Sequence, residues 1–363
     1  MNKPFTGMIF LLLFILSLSC SGENKEKQTG GQTLKSGKIT IVYTGNVGGK
    51  INPCGCRIPM GGLARRATVI DNIRKEAQNI LVLDSGALLY PSFFMYPPYD
   101  FTSRILSHLI TEVVNDIGIN ALNVASYDIA NSPDSLLTFD REFPSVWLSA
   151  NIVWKNSGEL VFRPDTTFTV GDFRVGVFGF MDQKSIGVDI FDEKAPVRVL
   201  DPVETVKNEV SKLKKDNDLV IALAYMDFEK VKNLVEGISG LNVVIASHTR
   251  EHSPSSDHNV FQPGLVNNTI IVRCPDGGRV VGRLDLNIAN GLTEFIDSEK
   301  YVDLRPVSVR EKEEPSRQST YTNTFIDLDP GVAYNPAVKE KIDIFSARVL
   351  AYTDSLGLDY TIQ

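Results

Sequence analysis

The sequence contains no long Lys/Arg cluster, no internal repeat and no low-complexity tract. Basic residues number 37 against 44 acidic ones, a formal net charge of -7. The chain therefore offers no strongly basic face to release counterions from a nucleic-acid backbone, and DNA or RNA is not an expected partner. Long apolar runs are missing as well. The one near the N-terminus extends only from Met8 to Leu16, too short to cross a bilayer as a stable helix, which excludes a multi-span membrane protein. Cysteine is limited to Cys20, Cys54, Cys56 and Cys274, and histidine to four residues. What remains is an ordinary globular composition, 43% hydrophobic and 22% charged over 363 residues. That is enough chain for about two domains or one large α/β unit with a substantial core.

The N-terminus reads as an export signal. Lys3 precedes the apolar stretch, which closes on Ser17-Leu18-Ser19-Cys20. A small residue directly before a Cys at this place resembles the lipobox of bacterial lipoproteins, with Ser17 where Leu is usual. The resemblance implies cleavage before Cys20, diacylation of its thiol, attachment to the membrane through that lipid and a place in the cell envelope; ordinary cleavage nearby and a retained anchor are the alternatives. Residues 21–36 are polar and Gly-rich without apolar periodicity and read as a flexible tether. The expected organisation is a signal peptide over 1–19, a tether over 20–36, a folded domain over 37–305, and a linker with a C-terminal helix over 306–363.

From Gly37 onward, short β-branched runs alternate with helical patterns, the signature of a layered α/β fold. Strands are expected at Lys38–Tyr43, Ile80–Leu83, Ala121–Val124, Val146–Ser149, Arg174–Phe180, Leu219–Ala224 and Leu241–Ala246. Helices are expected at Gly62–Ala77, Ser103–Ile117 and Pro336–Leu350, each with one apolar stripe. Another follows Asp201-Pro202, an N-cap with proline at the first helical position, and ends in Lys212, Lys214 and Lys215. Thr269–Arg273 and Arg279–Ile288, joined by Cys274-Pro275-Asp276-Gly277-Gly278, read as a hairpin. Val307–Thr322, charged and containing Pro315, reads as an exposed excursion.

Several segments, in this order, resemble the calcineurin-like metallophosphoesterases, and specifically their 5′-nucleotidase branch. They are Ile41–Asn46, Gly61–Thr68, Leu81–Gly86, Leu148–Ile152, Val175–Gly179, Asp201–Glu204 and Gly282–Leu286. The resemblance covers about residues 38–290 and implies a four-layer α/β/β/α sandwich. It also implies hydrolysis of phosphate esters by two metal ions held at loop tips after the strands. Two such cations activate a bridging hydroxide and neutralise phosphoryl charge, and they need convergent, deprotonated oxygen or imidazole ligands.

The residues at the implied ligand positions depart from that pattern. The first loop, where an Asp and a His belong, has Asn46 and Gly48. The bridging Asp is replaced by Ala87. The third loop, Gly-Asn-His-Glu in the family, is Ala125-Ser126-Tyr127-Asp128, and the fourth strand end has Tyr225. The last motif keeps His248 but has Arg250 in place of its second His. This argues against a di-metal centre and for a non-hydrolytic envelope lipoprotein; an atypical metal-dependent phosphohydrolase acting on nucleotides or related phosphoesters is the alternative.

Cys54-Gly55-Cys56 follows the first loop directly. Two cysteines one residue apart rarely serve packing, and the Gly between them permits a tight turn. With Cys20 acylated, three thiols remain, an odd number. Cys54, Cys56, Cys274 and His248 are expected to share the cleft, either as a thiolate and imidazole site for Zn or Cu or as a redox pair with Cys274 as resolving thiol. His252 and His258 lie in a polar loop and read as solvated.

Overall fold

The computed structural model describes residues 35–91, 99–182, 195–247, 262–291, 294–298 and 318–357. Two sheets form the centre. The first has seven strands, running across the sheet as β14 (Phe295–Asp297), β15 (Ser319–Asp327), β13 (Val280–Ile288), β1 (Gly37–Thr44), β2 (Ile80–Asp84), β3 (Ala121–Asn123) and β4 (Val146–Leu148). The run from β1 to β4 is parallel, and β13 pairs antiparallel with both β1 and β15. The second has six, in the order β11 (Gly264–Val266), β12 (Thr269–Arg273), β10 (Val243–Ser247), β9 (Leu219–Tyr225), β7 (Phe173–Met181) and β6 (Asp165–Val170). A separate antiparallel ribbon joins β5 (Ile152–Trp154) to β8 (Val197–Val199).

Strand periodicity assigns each face to a different core. Ile39 and Ile41 of β1 meet Val175, Val177, Ile221 and Ile245 between the sheets. The alternate residues Val42, Val82 and Leu122 face outward beneath α1 (Leu63–Glu76), α2 (Tyr99–Ile117), α3 (Pro133–Glu142) and the last helix, α6 (Pro336–Ser355). On the far side, Val220, Ala222 and Val244 pack under α4 (Pro202–Leu213) and α5 (Phe228–Val235). The result is a four-layer α/β/β/α sandwich. Each fully buried Val, Leu or Ile in it contributes roughly 1.5–3 kcal/mol. The caps fall where the sequence places them: Asp201 accepts from Glu204 N at 3.0 Å, and Asn335 accepts from Val338 N at 3.2 Å.

Two expectations are corrected. Thr269–Arg273 and Arg279–Ile288 are not a hairpin, because β12 enters the second sheet and β13 the first. The intervening turn, with Gly277 and Gly278 at φ 79° and 62°, carries the chain from one sheet to the other. The hairpin is instead β11 with β12, through Asn267 and Asn268 at φ 47° and 66°, the left-handed pair a tight two-residue turn requires. The excursion expected up to Thr322 is strand from Ser319, and β15 lies inside the first sheet between β13 and β14. β15 thus pairs with β13, and the last helix packs on the outer face of the same sheet.

Candidate functional site

The parallel strands β1, β2 and β3 of the first sheet end beside β10 of the second, where Ser247 Oγ donates to Ser85 O at 2.8 Å; open α/β sheets place their ligands at such strand ends. The loops after β1 and β2 are laced together. Asn46 N donates to Gly86 O at 2.9 Å, Gly48 N to Ala87 O at 2.8 Å and Gly49 N to Leu88 O at 2.8 Å. Asn46 and Ala87 both adopt left-handed backbone, at φ 53° and 58°. Gly, Asn and Asp accept that region more readily than Ala does, so Ala87 is held in an uncommon conformation, and its side chain is a buried methyl.

Asp128, on the short 3₁₀ turn Ser126–Ile129, closes this edge. Its buried carboxylate accepts four backbone N–H bonds: Oδ2 from Ala87 and Ala125 at 2.9 Å each, Oδ1 from Leu88 at 2.8 Å and Leu89 at 3.0 Å. Burial pushes its pKa up to about 6 against the opposing pull of those N–H groups. Ser126 is buried, Tyr127 packs half-buried on the outer core of the first sheet, and Tyr225, at the end of β9, is buried in the same core. His248 and Arg250 lie outside the described residues, as do His252 and His258.

Beneath the first loop lies a second buried polar group. Thr44 Oγ1 and Gly86 N donate to Asp84 at 2.5 and 2.9 Å, and Arg66 Nη1 stands 3.8 Å from Asp84 Oδ2. Arg66 and Asp84 are 1% and 0% exposed, and no acceptor in hydrogen-bond reach meets Arg66 Nε or Nη1 among the described residues. Burial pushes the Asp84 carboxyl up, opposed by Arg66, and pushes the Arg66 guanidinium down, opposed by Asp84 and Cys274. Ser85 Oγ donates to Cys274 Sγ at 3.3 Å. Burial drives the Cys274 thiol well above the ordinary range, so it behaves as a small apolar side chain.

The other two thiols have a different environment. Cys54 N donates to Met60 O at 2.8 Å and Met60 N to Cys54 Sγ at 3.4 Å, which pins one end of the loop. Cys54 is half-buried and Cys56 exposed, with Arg279 Nη2 4.0 Å from Cys56 Sγ. Burial raises the Cys54 thiol, but hydrogen bonds from Cys56 and Met60 and the charge of Arg279 outweigh it, leaving it lowered. The hydrogen bond to Cys54 raises Cys56. Among the described residues no group of three His, Cys, Asp or Glu side chains is placed to hold a metal, and His248, the imidazole of the expected thiolate and imidazole site, lies outside them. Asp128 and Arg66 escaped the sequence reading as site residues. The signal for Asp128 was its place at the end of the third-loop motif, and for Arg66 its place in Gly61–Thr68.

No family model matches the chain. It is 25% identical over 313 residues to Protein UshA of Salmonella pullorum, covering 77% of this chain and 53% of that protein. Among solved structures it resembles a 5′-nucleotidase precursor from Thermus thermophilus, with TM-score 0.64, 19% identity, and coverage of 87% of this chain and 59% of that one. It also resembles the calcineurin-like phosphoesterase YfkN from Bacillus subtilis, with TM-score 0.61, 19% identity, and coverage of 88% of this chain and 100% of that one. The chain spans about half the length of the first of these relatives.

Proposed function

Because the chain belongs to the calcineurin-like metallophosphoesterase superfamily, on its 5′-nucleotidase branch, we propose that it is a non-hydrolytic envelope lipoprotein of that branch. Its cleft serves metal, redox or ligand chemistry through the Cys54-Gly55-Cys56 loop. The carrying observation is Asp128: its four accepted bonds all come from backbone N–H groups of the second and third loops. A carboxylate so engaged fastens those loops to each other.

The donor set does not fit the two divalent cations of the family. Gly48 has no side chain, Ala87 presents a methyl, and Tyr225 is packed in the core, where convergent deprotonated oxygens or imidazoles are needed. Asn46 adds at most a neutral amide oxygen. No step is therefore derived through such a centre, and a Zn or Cu site at the cysteines would need His248 or another ligand from outside the described residues.

The second reading, a nucleotide phosphohydrolase, is favoured by the relatives named 5′-nucleotidase, among them those of Vibrio parahaemolyticus and Rattus norvegicus. Assaying nucleoside monophosphates and an aryl phosphate with Mn, Co or Zn decides between the two. The expected outcome is no turnover, with Ala87→Asp failing to restore it. Metal-dependent turnover near about 1 per second, abolished by His248→Ala, establishes the hydrolase instead.

The anchor is part of the proposal. A diacylated and N-acylated Cys20 supplies several lipid chains, enough for stable attachment where one is marginal. Cys20→Ala is expected to release the protein from the membrane fraction; unchanged attachment points to a retained signal segment.

A further inference from the structure

We infer that the Cys54-Gly55-Cys56 loop is a thiol–disulfide exchange site for small anionic disulfides, with Cys54 as the attacking thiol and Cys56 as the resolving one. The inference rests on the reading that this loop, and not the strand-end ligand set, is the chemically active part of the cleft. Three observations carry it.

The first is ligand count. Zinc needs four ligands, three of them from protein even in an open site. The described residues bring no third Cys, His, Asp or Glu to the pair, and Cys274 is withdrawn into the core between the sheets. Exchange needs only two sulfurs.

The second is the unequal setting of the two thiols. Cys54 is held at the base of the loop by Met60, whose N–H points at its sulfur, a bond that favours thiolate. Cys56 stands on the open arc, and a side chain at Gly55 would meet nothing within 4 Å. A disulfide can therefore approach, and the resolving thiol is adjacent to the attacking one.

The third is charge. Lys50 Nζ and Arg279 Nε both lie against Gly277, where a Cβ would come within 3.3 and 3.6 Å of them, and Arg279 reaches Cys56. Among the described side chains neither cation is paired with a carboxylate, and both charges act on Cys56. Two such cations beside an exposed thiol attract an anionic co-reactant.

The chemistry balances without a cofactor. The Cys54 thiolate attacks one sulfur of the substrate disulfide; a Cys54–S bond forms, the substrate S–S bond breaks, and one substrate thiolate leaves. Cys56 gives its proton to solvent and attacks Cys54 Sγ, expelling the second substrate thiolate. Two electrons have passed from the pair to the substrate, which becomes two thiols while Cys54 and Cys56 become a disulfide.

The test uses the full chain in detergent, reduced, desalted, and exposed to glutathione disulfide, with acid quenching and intact and peptide mass spectrometry. Wild type is expected to reach a Cys54–Cys56 disulfide without a lasting adduct. Cys56→Ser is expected to accumulate one glutathione on Cys54. Cys274→Ser should change neither result. Glutathione disulfide, which is anionic, is expected to react faster than the cationic disulfide cystamine. Lys50→Gln with Arg279→Gln, or added salt, should shrink that preference by roughly three- to tenfold.

The inference is overturned by glutathione on both cysteines with no ring closure, by an adduct on a residue other than Cys54 in the Cys56→Ser variant, or by an equal or faster reaction of cystamine. It is also overturned if protein prepared without chelator has both thiols blocked by a metal that a chelator releases. The assay contains no phosphoester, so phosphatase turnover would refute the non-hydrolytic reading while leaving this result to stand or fall separately.

Discussion

The loops that end the parallel strands and the loop that carries Cys54 and Cys56 treat their polar groups in opposite ways. At the strand ends, the Asp128 carboxylate is buried and engaged by four N–H donors, and Asp84 is buried beside Arg66. In the cysteine loop, Cys56 is exposed, and the positive charges of Arg279 and Lys50 act on it. A buried carboxylate satisfied by four donors rigidifies a fold; exposed nucleophiles in a positive field are available to partners. The contrast predicts that mutation at the first region damages folding and mutation at the second leaves folding intact.

Asp128→Asn should have the largest effect. An amide has one acceptor oxygen for four donors, and its NH₂ group would face N–H groups that now meet Oδ1 or Oδ2. A loss of about 3 kcal/mol in urea unfolding is expected, the scale for buried donors left unpaired. A loss below about 1 kcal/mol would show that water can replace the carboxylate, and the two regions would then not differ.

The same residue gives a smaller, pH-dependent effect. Its folded pKa, about 6, lies above the ordinary aspartate value of 3.8, so the folded state holds the proton more tightly. Between those values the folded chain binds more protons than the unfolded one, and the Asp128 contribution to stability falls as pH rises. The wild-type advantage over Asp128→Asn should thus decline from pH about 4 to about 6 and level off above. An advantage that grows over this window would mean that the four N–H bonds outweigh burial.

The smallest effects sharpen the comparison within one residue type. Cys274→Ser places a hydroxyl in the inter-sheet core, and a cost of about 1–2 kcal/mol is expected. Cys56→Ser, on the open arc, should change unfolding free energy by no more than about 0.5 kcal/mol. Equal costs at the two sites would erase the distinction between a packing thiol and an available one.

Much of the fold was legible because its causes are local. The seven buried residues of β9, Leu219–Tyr225, read as a strand without any neighbour. The Asp201-Pro202 start of α4 is visible because a cap bonds to an N–H only three residues away. By contrast, β15 alternates threonine with Tyr321 and Asn323, and such a polar strand is recognisable only by its pairing with β13, which precedes it by more than 30 residues. Turn chemistry at Cys274–Gly278 says that the chain reverses or bends, and does not say which sheet receives it.

For the candidate site, the sequence alone determined the residue types at the implied ligand positions: a methyl at Ala87, no side chain at Gly48, and two thiols one residue apart at Cys54 and Cys56. Chemistry of that kind is carried by the side chain itself and needs no neighbour. Only the tertiary structure decided that Asp128 grips a loop 39 to 41 residues before it, that Cys274 lies against Ser85 from 189 residues away, and that Arg279 stands over Cys56 from 223. Those contacts join segments brought together by strand order and sheet stacking, and burial, which sets the charge state of each group, exists only once the layers have closed.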